Sequence, residues 1–398
     1  MKVGVIVDND LNNDARVKRG IKILSEEGFT LGTLCYSFNG KSYEEIVPGK
    51  VIRIPFRSKI QGILFAIVNT LPIYEWIWII YIRRFIKTFQ PDVLHVHDLY
   101  MSRSAYIAVR SLGANIPIVL DLHENFPAAM QTFDWHKGWW RRLITQPNRW
   151  YKKEGQYLRY ASRIIVLSRS FGDELLTRFD FLKPANIFVI PNVPDLGMMN
   201  SEIDQDLGRN FSGLVPPVFF YFGVIAARRG IFRIFNTFKK FLESGRNGSL
   251  LLIGPVDKVD HNLFQEYLND PVIREKVTYL PWIDLFDLPS YLNLADVSLA
   301  PLSKDPQHES GIANKIFNYM YGGKPLLVSD CAPQEELVNS CQCGLSFSND
   351  TEFLEKMIWM NDHPAERQIM GNNGKKAILE KFNIYKIKEE LVSAFKFK

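Results

Sequence analysis

Short runs of consecutive apolar residues, separated by longer stretches of mixed polarity, recur along the whole of this chain. Residues 2–7 (KVGVIV), 91–98 (PDVLHVHD), 118–122 (IVLDL), 163–168 (RIIVLS) and 188–194 (FVIPNVP) form one set. Residues 218–222 (VFFYF), 250–254 (LLLIG), 277–280 (VTYL), 297–301 (VSLAP) and 325–328 (PLLV) form a second. Runs this short and continuous predict strands covered on both faces, as in parallel sheets. Between them lie segments with helical spacing. A helix is predicted over 15–27, ended by Gly28. Another is predicted over 314–321: Ile316, Phe317 and Met320 share one face, Asn318 falls off it, and Gly322-Gly323 stops it. A last helix is predicted near 384–395. Strands alternating with helices throughout make an α/β protein.

Residues 60–82 (IQGILFAIVNTLPIYEWIWIIYI) are the most hydrophobic segment and are long enough for a membrane span. Pro72, Glu75, Gln61 and Asn69 argue against one, and the strand at 91–98 needs a preceding helix to keep the sheet parallel. The segment therefore reads as a buried or membrane-dipping helix.

With 398 residues the chain exceeds one typical core. The expected division is 1–195, 196–375, and a terminal helix within 376–398 that packs back on the first domain. The polar, weakly periodic stretch 195–215 reads as the linker. A net charge of +5 is too weak to argue for nucleic acid, and none is expected as a partner. Cys35, Cys331, Cys341 and Cys343 are scattered, and no leader precedes Met1, which points to a reducing cytoplasm. Cys341-Gln342-Cys343 lacks both the C-x-x-C spacing and a nearby histidine, so it is not read as a metal or redox site.

Candidate chemistry gathers just after the predicted strands. The loop after 2–7 holds Asn13, Asp14 and Arg16; Asp14 suits an N-cap, which leaves the arginine unexplained. That loop lacks G-x-G-x-x-G, so the dinucleotide fingerprint is absent. His95 and His97 fall on one face of their strand, with no third metal ligand evident at suitable spacing, and read as satisfied histidines. The strand at 118–122 delivers His123 and Glu124, an imidazole beside a carboxylate that can tune its charge; a loop cap is the alternative. In the second half, Arg228 and Arg229 follow 218–222 and present forks suited to phosphate. Glu309, Ser310, Gly311 and Ile312 form a loop whose N–H groups precede the helix at 314, an anion-binding arrangement.

Residues 311–330 (GIANKIFNYMYGGKPLLVSD) resemble the nucleotide-sugar signature of retaining family-4 glycosyltransferases, which have the GT-B fold. The likeness extends to NDARV at 13–17, PDVLHVHD, VLDLHENFP at 119–127 and the loop 223–231 (GVIAARRGI). The resemblance implies two Rossmann-like domains with parallel sheets facing a central cleft. It further implies a nucleotide-diphosphate sugar donor, transfer of a hexose with retention, and no metal or other cofactor. By the same resemblance Asn13, Asp14 and Arg16 line the cleft loop, and His123 stands beside the donor sugar with Glu124 second. The diphosphate falls to Arg228, Arg229, Ser310, Gly311 and Ile312, the ribose to Asn318, and the carboxylate near the donor sugar to Glu309. The chain departs from the family at Ser310 and Asn318, which replace two glutamates eight positions apart, and at Val224, where an arginine often stands.

Residues 137–153 (KGWWRRLITQPNRWYKK) combine six basic residues and four large aromatics with no acid. In a chain with this sugar chemistry, Trp139, Trp140, Arg141, Arg142 and Trp150 read as a face resting on an anionic membrane. A stacking patch for nucleic acid and a plain solvated basic face are the other readings. The resulting expectation is a cytoplasmic transferase held at the inner membrane face, acting on a lipid-linked or other glycan acceptor in surface-polysaccharide assembly. A non-catalytic subunit that scaffolds a partner transferase, suggested by Ser310 and Asn318, and a nucleotide-sugar epimerase are the alternatives.

Overall fold

The computed structural model describes residues 1–12, 14–39, 47–69, 71–132, 145–195, 203–204, 206–207 and 211–397. The chain divides into two compact units: Met1–Asn192 with Ile387–Lys398, and Val193–Lys386. Much of the predicted linker, namely 196–202, 205 and 208–210, lies outside the described residues.

In the first unit β1 (Lys2–Ile6), β2 (Thr30–Phe38), β3 (Lys50–Phe56), β4 (Val93–His97), β5 (Ile118–Asp121), β6 (Arg163–Val166) and β7 (Ile187–Val189) form one sheet. All neighbours are parallel, in the order β3-β2-β1-β4-β5-β6-β7. β2 and β3 (TLGTLCYSF and KVIRIPF) are interrupted by small, polar or proline residues, so the apolar-run pattern passes over them. The chain turns back between β1 and β4. At such a switch point the loops leaving the two strands part to opposite sides and open a crevice for ligands.

The segment 60–82 is not one helix. It forms Ser58–Ala66 and the first part of Ile73–Phe89, with Pro72 at the N-cap of the second. A proline lacks the N–H that a helix interior needs but is tolerated at a helix start. The second helix buries Tyr74, Trp78, Ile82 and Phe85. Its Glu75 is buried too, satisfied by Arg103 and the Tyr157 hydroxyl, and Asn69 donates to the carbonyls of Thr145 and Gln146. The opposite face leaves Ile73, Trp76, Ile80, Arg84 and Lys87 exposed. Among the described residues no helix is long and apolar enough to cross a membrane.

Trp150 corrects the sequence reading. It is completely buried, with its ring against Tyr100, Phe126 and Tyr157. The helix Arg149–Leu158 turns Trp150, Tyr157 and Leu158 inward, so this tryptophan is a core residue and not a membrane-facing one. Trp139, Trp140, Arg141 and Arg142 lie outside the described residues, as does Asn13.

In the second unit β8 (Val218–Phe222), β9 (Ser249–Ile253), β10 (Val277–Leu280), β11 (Val297–Ala300), β12 (Leu326–Ser329) and β13 (Gly344–Phe347) pair in the order β10-β9-β8-β11-β12-β13. The pattern repeats that of the first unit, and its switch point lies between β8 and β11. The helix Asn314–Tyr321 has the predicted bounds, with Ile316, Phe317 and Met320 buried and Asn318 half-buried. The last helix, Ile384–Phe395, belongs to the first unit from Ile387 onward. There Phe395 packs on Phe29 and His95, and Arg163 donates to the carbonyls of Ser393 and Lys396.

Candidate active site

Parallel register assembles the first cluster. His97 pairs across the sheet with Asp121, and His95 lies two residues before His97, so all three side chains project from one face. His95 Nε2 is 3.5 Å and His97 Nδ1 3.8 Å from Asp121 Oδ2. The other carboxylate oxygen, Oδ1, is held by Arg16 from Nε at 3.2 Å and Nη2 at 2.8 Å, while Arg16 Nη1 donates to the Ile190 carbonyl at 3.0 Å. Arg16 is therefore a buried brace within the first unit, and Asp14 caps its helix by accepting from the Val17 N–H. Asp121 is the third ligand-type residue that the His-x-His spacing lacked, since only strand pairing delivers it. The three side chains place donor atoms within 4.8 Å of one another, but the guanidinium on the same carboxylate opposes a second cation there.

His123 stands at the edge of this cluster. Its Nε2 lies 2.8 Å from His97 Nδ1, so one ring donates to the other, and its Nδ1 lies 3.9 Å from Asp98 Oδ1. The carboxylate facing the imidazole is thus Asp98, whereas the sequence reading placed Glu124 there. Glu124 is half-buried, and its charge bears on Asp98. Asp98 has a left-handed backbone (φ 70°), a conformation uncommon outside glycine, where its N–H binds the Asp121 carbonyl. Burial, together with Asp8 and Glu124, pushes the Asp98 carboxyl well above its usual range. Asp8 is also raised by burial, against the opposing hydrogen bonds from Tyr74 and Tyr100. Burial would raise Asp121 as well, but Arg16 and the histidines outweigh it and hold that carboxyl well below the usual range. Burial lowers both His97 and His123, aided at His97 by the neighbouring His95. The cluster thus combines the His97 and His123 imidazoles, both biased toward the neutral form, with one firmly ionised carboxylate and two carboxyls that retain protons more readily than usual.

The second cluster lies in the second unit, on the loops that follow β8 and β11 at the switch point. After β8 the chain passes Gly223 (φ 124°), an exposed Val224 and the turn Ala227–Arg229. Gly230 follows at φ 79°, and a Cβ there would lie 1.8 Å from the Pro301 carbonyl oxygen, so only glycine fits. Arg228 is paired with Asp257 at 2.7 Å and Arg229 is half-buried. After β11 comes the turn His308–Ser310. Glu309 Oε2 accepts from the Ala332 N–H at 3.0 Å, and its Oε1 is buried without a hydrogen-bond partner. Ser310, assigned to the diphosphate in the sequence, donates from both its hydroxyl (2.6 Å) and its N–H (3.2 Å) to the Gln307 carbonyl within the loop. Gly311 is extended (φ −173°), a conformation open to any residue, so its freedom as a glycine is not what shapes this loop. The Tyr319 hydroxyl accepts from the Phe222 N–H at 2.8 Å, tying the helix Asn314–Tyr321 to the end of β8.

The chain matches the model of Glycosyltransferase Family 4 over residues 21–197 and that of Glycosyl transferases group 1 over residues 204–377. Between them these cover most of the sequence, and the chain belongs to this family of glycosyltransferases, with the GT-B fold. Similar solved structures include sucrose-phosphate synthase from Thermosynechococcus elongatus, at 17% identity and a TM-score of 0.73 over 99% of this chain and 98% of that one. Another is Anabaena HepE in complex with UDP-glucose, at 13% identity and a TM-score of 0.69 over 98% of each chain. A third is WaaG, a glycosyltransferase involved in lipopolysaccharide biosynthesis, at 15% identity and a TM-score of 0.67 over 100% of each chain. No curated protein matches the sequence.

Proposed function

We propose that this protein transfers a hexose, with retention of configuration, from a nucleotide-diphosphate sugar to a lipid-linked glycan. The observation that carries this reading is the second switch point, where the Arg229 turn and the Glu309–Asn318 segment come from the two strands that flank one crevice. Arg229 there offers a fork for the diphosphate, and Asn318 can accept and donate hydrogen bonds to ribose hydroxyls. Charge developing on the departing diphosphate is stabilised by fixed protein cations, so the reaction needs no metal. His123 is the candidate acid–base group of the first unit. HepE was solved with UDP-glucose, which favours a uridine donor.

The first test is thermal stabilisation by UDP-, GDP- and CDP-sugars, since a ligand that binds only the folded state raises the melting temperature by mass action. One donor of the panel should raise it, and Arg229→Ala and Asn318→Ala should each abolish the rise. No shift with any donor would overturn the reading and leave a scaffolding subunit. Binding followed by epimerisation without an acceptor would favour the epimerase.

The acceptor part of the proposal rests on Ile73, Trp76, Ile80, Arg84 and Lys87, which share one exposed helix face at i, i+3 and i+4 spacings. An aromatic and two isoleucines beside two cations suit the headgroup region of an anionic bilayer at the inner membrane face. Trp76→Ser combined with Ile80→Ser should release most of the protein from phosphatidylglycerol vesicles in a flotation assay. Retention of the double variant on those vesicles would remove this face from the proposal.

A further inference from the structure

Lys315 is the second residue of the helix Asn314–Tyr321, and only 9% of it is exposed. Its Nζ has no hydrogen-bond partner and sits 3.6 Å from the centre of the Tyr221 ring. Lysine is rarely buried unless paired, and a cation–π contact compensates only part of the lost hydration. The surroundings make the position less favourable still. Burial and the neighbouring charge of Arg229 both act to hold its pKa well below the usual lysine value. The Lys315 amine thus lies beside a second cation with no hydrogen-bond partner to answer its own charge.

The setting of the Lys315 amine shows what would answer it. Tyr221 lies in β8, and a Cβ added to Gly223 would meet the Lys315 amine at 3.5 Å, so the amine lies against the backbone just past the end of that strand. Tyr319, one turn along from Lys315, fixes the helix to the same place through the Phe222 N–H. Val224, which occupies the position of the family's usual arginine, is 40% exposed and carries no charge. Arg228 is already bound to Asp257. The position that often gives this loop a further cation therefore supplies none.

We propose that Lys315 is the second phosphate-binding cation of this protein, supplying from the β11-side helix the charge that Val224 withholds from the β8 loop. The diphosphate lies between the Arg229 guanidinium and the Lys315 ammonium, and without it Tyr221 shelters the amine. The inference rests on the nucleotide-sugar reading of the second unit.

Calorimetric titration of the full chain with UDP, GDP, CDP, inorganic pyrophosphate and the matching free nucleosides tests it. For the nucleoside diphosphate that binds, Lys315→Met should raise the dissociation constant about 10- to 100-fold, as expected for losing a charge-assisted contact. The free nucleoside should change less than about twofold, because its contacts lie elsewhere. Lys315→Arg should recover much of the diphosphate affinity. Methionine matches the length and apolar stem of lysine, and an unaltered melting temperature will show that the variant is folded. Diphosphate affinity equal to the parent's in Lys315→Met would overturn the assignment and leave the nucleotide-sugar reading standing. A parent that binds none of the three diphosphates would remove both.

Discussion

Alanine at His123 is expected to lower turnover about 10²- to 10⁴-fold, the range lost when a positioned acid–base group is removed. The donor dissociation constant should change far less, because the proposed nucleotide contacts all lie in the second unit. The geometry also fixes the shape of the pH profile. His123 Nε2 is engaged with His97, and burial lowers the His123 pKa below its ordinary value. The imidazole is therefore neutral at pH 7, and the acid limb of kcat should fall below the ordinary histidine value of about 6.5. His97→Ala frees the ring that His97 orients. It should lower kcat less than His123→Ala does, and leave donor affinity intact. Turnover by His123→Ala within about twofold of the parent would assign the ring a structural role only.

Asp121→Ala should produce the largest loss of stability, about 3–5 kcal/mol, because it leaves the Arg16 guanidinium buried without its counter-charge. Urea denaturation at pH 7 measures it. The pH dependence carries a sign that can be checked. The folded Asp121 pKa is depressed, so its contribution is complete above the unfolded value of about 3.9 and disappears as pH falls through the folded value. Parent and Asp121→Asn should therefore keep a constant stability difference from neutrality down to about pH 4, and converge only below that. Asp8 and Asp98, whose values are raised, act in the opposite sense: they lose stability as pH rises from about 4 toward their folded values. A parent–variant gap that closes well above pH 4 would mean that Arg16 does not hold Asp121 ionised.

The elements that the sequence made legible are those whose neighbours lie close along the chain. The five apolar runs of the second unit are five of its six strands, because a strand covered on both faces announces itself by composition. The helix Asn314–Tyr321 could be bounded to the residue, since its apolar spacing and its terminating glycines are local. Trp150 shows the limit of such reading. A tryptophan among arginines and lysines has the composition of an interface, yet one turn of helix rotates it into the core while Lys153 stays at its ring. Glu124 shows another: adjacency along the chain made it the expected partner of His123, but successive residues diverge and Asp98 arrives from the neighbouring strand instead.

Taken alone, the sequence determined the α/β class, the strand–loop–helix order, the family and the positions at which it departs from its signature. These follow from local periodicity and from motifs whose residues are contiguous. Tertiary structure alone decided which charges meet. Register across β4 and β5 joined Asp121 to His95 and His97, the helix after β1 brought Arg16 to the same carboxylate, and the β8–β11 switch point set Lys315 beside Tyr221 and Arg229. Such pairings depend on sheet order and on burial, which act between residues far apart in the chain and leave no periodic trace along it.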